Sequence, residues 1–83
     1  MSHFVVTCLE ADPKQAIIEV RGDRYTQATR AVNLFLDAYM TGAVAFTTLS
    51  REVGGMYPNT RLCCWRYPSG GPEGTIYVRE LTP

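Results

Sequence analysis

The chain has 83 residues, and its eight Lys and Arg side chains balance its eight Asp and Glu. A neutral chain has no overall field with which to gather DNA, RNA or anionic lipid, so any such binding must rest on a local patch. The length suits one small domain with one core, and no run approaches the roughly 18 apolar residues of a membrane span.

The first run, HFVVTCLEA (3–11), is β-branched and aromatic, as a strand requires. Asp12 and Pro13 form a turn, and QAIIEVRGD (15–23) follows as the second arm of a hairpin. Alternation sets Ala16, Ile18 and Val20 on one face and Ile17, Glu19 and Arg21 on the other. Asp23 or Thr26 can cap the helix predicted from Tyr25 to Met40. Ala28, Ala31, Val32, Phe35, Leu36 and Tyr39 share its apolar stripe, with Arg30, Asn33 and Asp37 opposite. Gly42 stands where a helix commonly ends in the left-handed conformation.

AVAFTTLSREV (43–53) can be read as helix or strand, and its β-branched content after Gly42 favours strand. GGMYPNT (54–60) reads as a loop. RLCCWRY (61–67) and TIYVREL (75–81) read as strands joined by PSGGPEG (68–74). The expected class is α+β: about five mostly antiparallel strands in the order strand-strand-helix-strand-strand-strand, with the helix on one sheet face, in a single domain spanning 1–83.

The Cys63-Cys64 pair invites a metal or redox reading. Structural zinc sites separate their cysteines by two to four residues, and thioredoxin-type chemistry needs two residues between the thiols. Adjacent strand residues point to opposite faces, so Cys63, Trp65 and Tyr67 share one face and Leu62, Cys64 and Arg66 the other. Trp65 is expected inward against Phe35 and Tyr39, which makes the cysteines structural. Three cysteines also leave no closed disulfide framework, and residues 1–10 lack the features of a signal peptide, so cytoplasmic residence with free thiols is expected.

Nucleophilic catalysis needs a base within reach, and the lone histidine, His3, reads as an incidental polar residue near the terminus. The carboxylates scatter over turns and exposed faces without forming a pair. SGGPEG (69–74) lacks the Lys-Ser/Thr and the following helix of a phosphate loop. Arg21-Gly22-Asp23 spells an integrin-binding tripeptide by coincidence of a strand-to-helix turn. No enzyme activity, metal or cofactor is expected.

Arginine mixed with aromatics on strands is the remaining signal. Seven of the eight basic residues are Arg, the cation suited to flat, stacked or bidentate contacts. Ile76 and Val78 point inward, so Tyr77 and Arg79 point outward, as Arg66 does beside Trp65. Arg66, Tyr77 and Arg79, with Arg21 on the same open face and Arg51 and Tyr57 near its ends, are the candidate partner-binding residues. A protein or ribonucleoprotein partner is expected. The alternatives are a nucleic-acid-binding or regulatory protein that uses the Arg/Tyr face, and a structural protein that assembles through sheet edges. A homodimer is compatible with each.

The size, the element plan and the stretch EVRGDRYTQATRAVNLFLDAYMTG (19–42) together resemble small proteins of phages and mobile elements, among them anti-CRISPR proteins. The resemblance covers the general plan and carries no functional residue over. It implies a non-enzymatic inhibitor in a bacterial cytoplasm that occupies a CRISPR effector complex and blocks DNA binding or nuclease recruitment.

Overall fold

The computed structural model describes residues 2–22, 26–50 and 59–81. Five strands and one helix follow in chain order: β1 (Ser2–Thr7), β2 (Gln15–Val20), α1 (Gln27–Tyr39), β3 (Val44–Ala45), β4 (Thr60–Arg66) and β5 (Glu73–Leu81). Every pairing is antiparallel, and the spatial order is β2-β1-β5-β4-β3. The expected α+β architecture is what the chain adopts. β5, last in the sequence, lies at the centre between β1 and β4.

The first strand is shorter than its apolar run. Cys8 turns inward after Thr7; its N–H donates to the Lys14 carbonyl at 2.8 Å, and Ala11 N–H donates back to the Cys8 carbonyl at 3.1 Å. These bonds close the hairpin around residues 8–14 and leave Leu9 exposed.

Helix α1 packs on one sheet face. Ala31, Val32, Phe35 and Leu36 are buried with Phe4, Val6, Val20, Cys63, Trp65, Ile76 and Val78 in one core. Tyr39 is a correction to the predicted stripe: it is 39% exposed, touching Phe35 with ring centroids 4.9 Å apart, while Met40 enters the core in its place. One residue further round the helix carries Met40 back towards the sheet, where its sulfur lies 3.4 Å from Cys8 Sγ. The helix stops before the expected Gly42: Met40 is its C-cap, and Gly42, at φ +91°, serves the turn that Ala43 N–H closes by donating to the Met40 carbonyl at 3.0 Å.

The helix start rests on Gln27 more than on a short capping side chain. Asp23 lies outside the described residues, and Thr26 is the N-cap, its carbonyl accepting from Arg30 N–H at 2.9 Å. Gln27 is buried; its carboxamide oxygen accepts from the Ser2 hydroxyl at 2.8 Å, and its Nε2 donates to the Gly22 carbonyl at 3.0 Å. One side chain thereby ties the start of β1, the end of β2 and the first turn of α1.

Segment 43–53 is only partly the predicted strand. Regular pairing stops after Val44 and Ala45, which face Arg66 and Trp65, and residues 51–53 lie outside the described part. Beyond Ala45 the chain keeps beside β4 by another route. Phe46 N–H donates to the Cys64 carbonyl, but Cys64 N–H is answered by Thr47 Oγ1 at 2.9 Å. Ser50 repeats the device, its N–H donating to the Leu62 carbonyl and its Oγ accepting from Leu62 N–H at 3.1 Å. Two hydroxyls replace two backbone carbonyls along this edge.

Trp65 is fully buried, edge-on to Tyr67 at 5.8 Å. It stands directly opposite Gly74 across the β4–β5 ladder. A Cβ at position 74 would lie 3.0 Å from the indole nitrogen and 2.8 Å from a Glu10 carboxylate oxygen; the exposed Glu10 can swing away, but the buried indole would have to shift, which favours glycine there.

Candidate functional site

The strand registers convert alternation into rows that cross the face away from α1. Glu19, His3 and Leu81 form one row, and Ile17, Val5, Arg79 and Thr60 form the next. Gln15, Thr7, Tyr77 and Leu62 follow, then Thr75 with Cys64, then Glu73 with Arg66 and Val44.

The middle two rows enclose a groove of about 400 Å³. Its floor and walls are mostly apolar: Val5, Leu9, Leu62 and the ring of Tyr77, with Thr7, Gln15 and Thr60 supplying hydroxyl and amide groups and Arg79 a charge. Val5 lies on the uncovered face and yet is only 8% exposed, because its cross-strand neighbours Ile17 and Arg79 shelter it. Tyr77 is 37% exposed at the centre of the sheet. Among the described residues, no carboxylate lies within ion-pair distance of Arg79. An apolar hollow beside a guanidinium that no described carboxylate neutralises can take an apolar side chain together with a carboxylate or carbonyl.

The six candidate residues do not form one cluster. Tyr77 and Arg79 are together in the groove. Arg66 points to the same face but pairs with Glu73, four residues along β5 from Tyr77, about 13 Å at the usual rise per strand residue. There its guanidinium stacks on Phe46, 4.7 Å from the ring centroid. Arg21 follows the end of β2, exposed and off the paired ladder, and its carbonyl accepts from the Arg30 guanidinium. Arg51 and Tyr57 lie outside the described residues, as does most of the loop 54–60. Arg61, also expected near an end of the open face, has the parity of the helix-side face and donates from Nε to the Ser50 carbonyl at 2.7 Å.

Reading the sequence for charge and aromatics passed over Val5, Leu9, Gln15 and Thr60. Leu9 follows a strand end, and the burial of Val5 depends on which residues stand beside it. The signal available in the sequence was Ile17, an apolar residue on the polar side of an otherwise regular alternation.

The cysteines sit as strand geometry requires. Cys8 and Cys63 are buried, Cys64 is half-buried on the open face, and all three are free thiols. Burial, with a smaller effect from Cys64, pushes the Cys63 thiol up to about 11, and burial also raises Cys8. Both therefore stay protonated near neutral pH. His3 stands opposite Glu19, with Nε2 3.7 Å from its carboxylate and both side chains about half exposed. Among the described residues, no three His, Cys, Asp or Glu side chains gather as a metal-binding group, and no helix is long and apolar enough to cross a membrane.

Family models, curated proteins and solved structures were compared with this chain, and none matches it.

Proposed function

We propose that the protein is a non-enzymatic protein-binding module that seats its partner on the open sheet face, around Tyr77 and Arg79. The observation that carries this reading is the groove of about 400 Å³ between the middle rows, which pairs an apolar hollow with a guanidinium that no described carboxylate neutralises. Tyr and Arg, with Trp, are the residues enriched among those that dominate interface energy. A protein segment presenting an aliphatic or aromatic side chain beside an acidic one satisfies both features. The zero net charge favours such a partner over bare nucleic acid, which would be held chiefly through its phosphates.

In its finer form, supported by the resemblance in plan, the partner is a bacterial CRISPR effector complex and the protein is a cytoplasmic inhibitor of phage or mobile-element origin. Adding the protein to an effector complex and measuring target-DNA binding and cleavage tests that form directly; unchanged binding and cleavage would remove it.

The broader reading is tested by capture from a bacterial lysate, identification by mass spectrometry, and affinity measurement with Tyr77→Ala and Arg79→Ala. Loss of affinity in folded variants, with weak dependence on salt, is the expected result. Full affinity in both variants would exclude this face. Affinity that collapses as salt rises and survives nuclease-free reconstitution with RNA or DNA alone would favour the nucleic-acid reading instead.

A further inference from the structure

We propose that the outer edge of β2 pairs with β2 of a second copy of this chain, antiparallel, about a two-fold axis at Ile17. This inference stands apart from what the open face binds.

The argument begins with the direction of backbone groups. In a strand, the N–H and C=O of one residue point to the same side, and successive residues alternate. The Lys14 carbonyl accepts from Cys8 N–H, so residue 14 points towards β1. Residues 16, 18 and 20 share that parity and pair inward, without interruption, along the ladder with β1. Gln15, Ile17 and Glu19 therefore direct their N–H and C=O groups away from the sheet. β2 is the end of the strand order, and among the described residues none covers those groups.

Exposed edges are usually protected by charged side chains, lysine above all, or by proline, a bulge or a covering element; Pro13 and Lys14 precede this edge, and Glu19 is its one charge. Between residues 15 and 20 there is no lysine and no proline, and the register with β1 contains no bulge. The opposite edge of the sheet is treated differently, with 46–50 laid along β4 and two hydroxyls filling the gaps.

The side chains then select the occupant. Pairing centred on Ile17 sets Ile17 against Ile17 and Gln15 against Glu19. All three outward residues meet outward residues, so each facing pair exchanges both N–H···O bonds. The 63%-exposed Ile17 side chain meets its own copy, and the Gln15 amide can donate to the Glu19 carboxylate. A one-residue slip would set outward groups against groups already bonded to β1. A two-residue slip would lay Ile17 against the Glu19 carboxylate in one direction and against the Gln15 amide in the other, and either way would part the Ile17 pair. The sequence of this edge is thus complementary to itself in one register. The two five-stranded sheets become one, and the two open faces continue into each other across Ile17.

Sedimentation of the full chain from micromolar to millimolar concentration should rise to twice the 9.3 kDa chain mass. Ile17→Lys places two ammonium groups at the axis and should sediment as a monomer with an unchanged far-UV spectrum. Two cysteine variants, each in a Cys64→Ser background, fix the register independently of that variant's folding. Facing Cα atoms in a hydrogen-bonded pair are about 5.5 Å apart, within disulfide reach, so Ile17→Cys should give a covalent dimer on mild oxidation. Gln15→Cys would lie about 13 Å from its copy and should not. A wild-type monomer at every concentration, an Ile17→Lys dimer, or cross-linking through Gln15→Cys in preference to Ile17→Cys would each overturn the proposal.

Discussion

The two faces of the sheet come from the same strands, residue by residue in alternation, and they obey different rules. On the helix side, Phe4, Val6, Cys63, Trp65, Ile76 and Val78 share one core with the buried face of α1 and lose nearly all contact with solvent. There each side chain is fixed by volume. On the open side, Val5 is the one buried side chain among the described strand residues, and beside it and Val78 the groove is lined by exposed or half-buried groups, most of them placed by strand register. Substitution on the first face should therefore be read out as stability, and on the second as binding.

The largest expected effect is on the helix side. Phe35 has no exposed surface, and Phe35→Ala should cost about 3–5 kcal/mol, which in so small a domain approaches the whole stability. Chemical denaturation measures it, and an unchanged midpoint would break the distinction between the faces.

Tyr77→Ala and Arg79→Ala sharpen the other half. Each should weaken partner binding by about 2 kcal/mol or more, roughly 30-fold, while shifting folding stability by about 1 kcal/mol or less. Titration calorimetry and denaturation on the same samples separate the two. A large stability loss with unchanged affinity would make the open face a second core.

Gly74→Ala tests the boundary, because Gly74 is a sheet residue whose missing side chain makes room for Trp65. The added methyl should cost about 1–3 kcal/mol by overpacking. Thr75→Ala, one residue along and on the open face, should stay within about 0.5 kcal/mol.

Near neutral pH the smallest effect is that of Cys63, which shows only as a dependence on alkaline pH. The folded Cys63 thiol is raised to about 11 from an ordinary value of 9.0. Below pH 9 it is protonated whether the chain is folded or not. From pH 9 to about 11 the unfolded chain gives up the proton and the folded chain keeps it, so stability falls as pH rises through that window. Cys63→Ala should flatten this alkaline slope relative to wild type, as followed by urea midpoints. An equal slope in the two proteins would place Cys63 in a more polar environment than its burial implies.

Periodicity made most of the fold legible in advance. The 76/78 and 77/79 split, the inward Trp65 and the Phe35 stripe all follow from spacing alone. Gln27 was not legible: it stands four residues before Ala31 on the same helix face, but a polar side chain at the start of a helix gives no sign of burial. The groove was not legible. It exists because Val5 stands between Ile17 and Arg79, and Tyr77 between Thr7 and Leu62; one strand's sequence does not state what lies beside it. Arg66 was placed on the correct face, but its partner Phe46 comes from a segment whose regular strand stops after two residues.

The hydroxyls of Thr47 and Ser50 give β4 two clocks. Its even-numbered amides, Leu62 and Cys64, donate to those side-chain oxygens, whereas the odd-numbered ones, Arg61, Cys63 and Trp65, are directed by alternation towards β5. A rotation of one χ1 angle, or a brief lifting of residues 46–50, opens Leu62 and Cys64 to deuterium while the sheet stays whole. Their neighbours must wait for β4 to part from β5 in the centre of the molecule. Hydrogen exchange along this single strand should then alternate, fast and slow, one residue at a time.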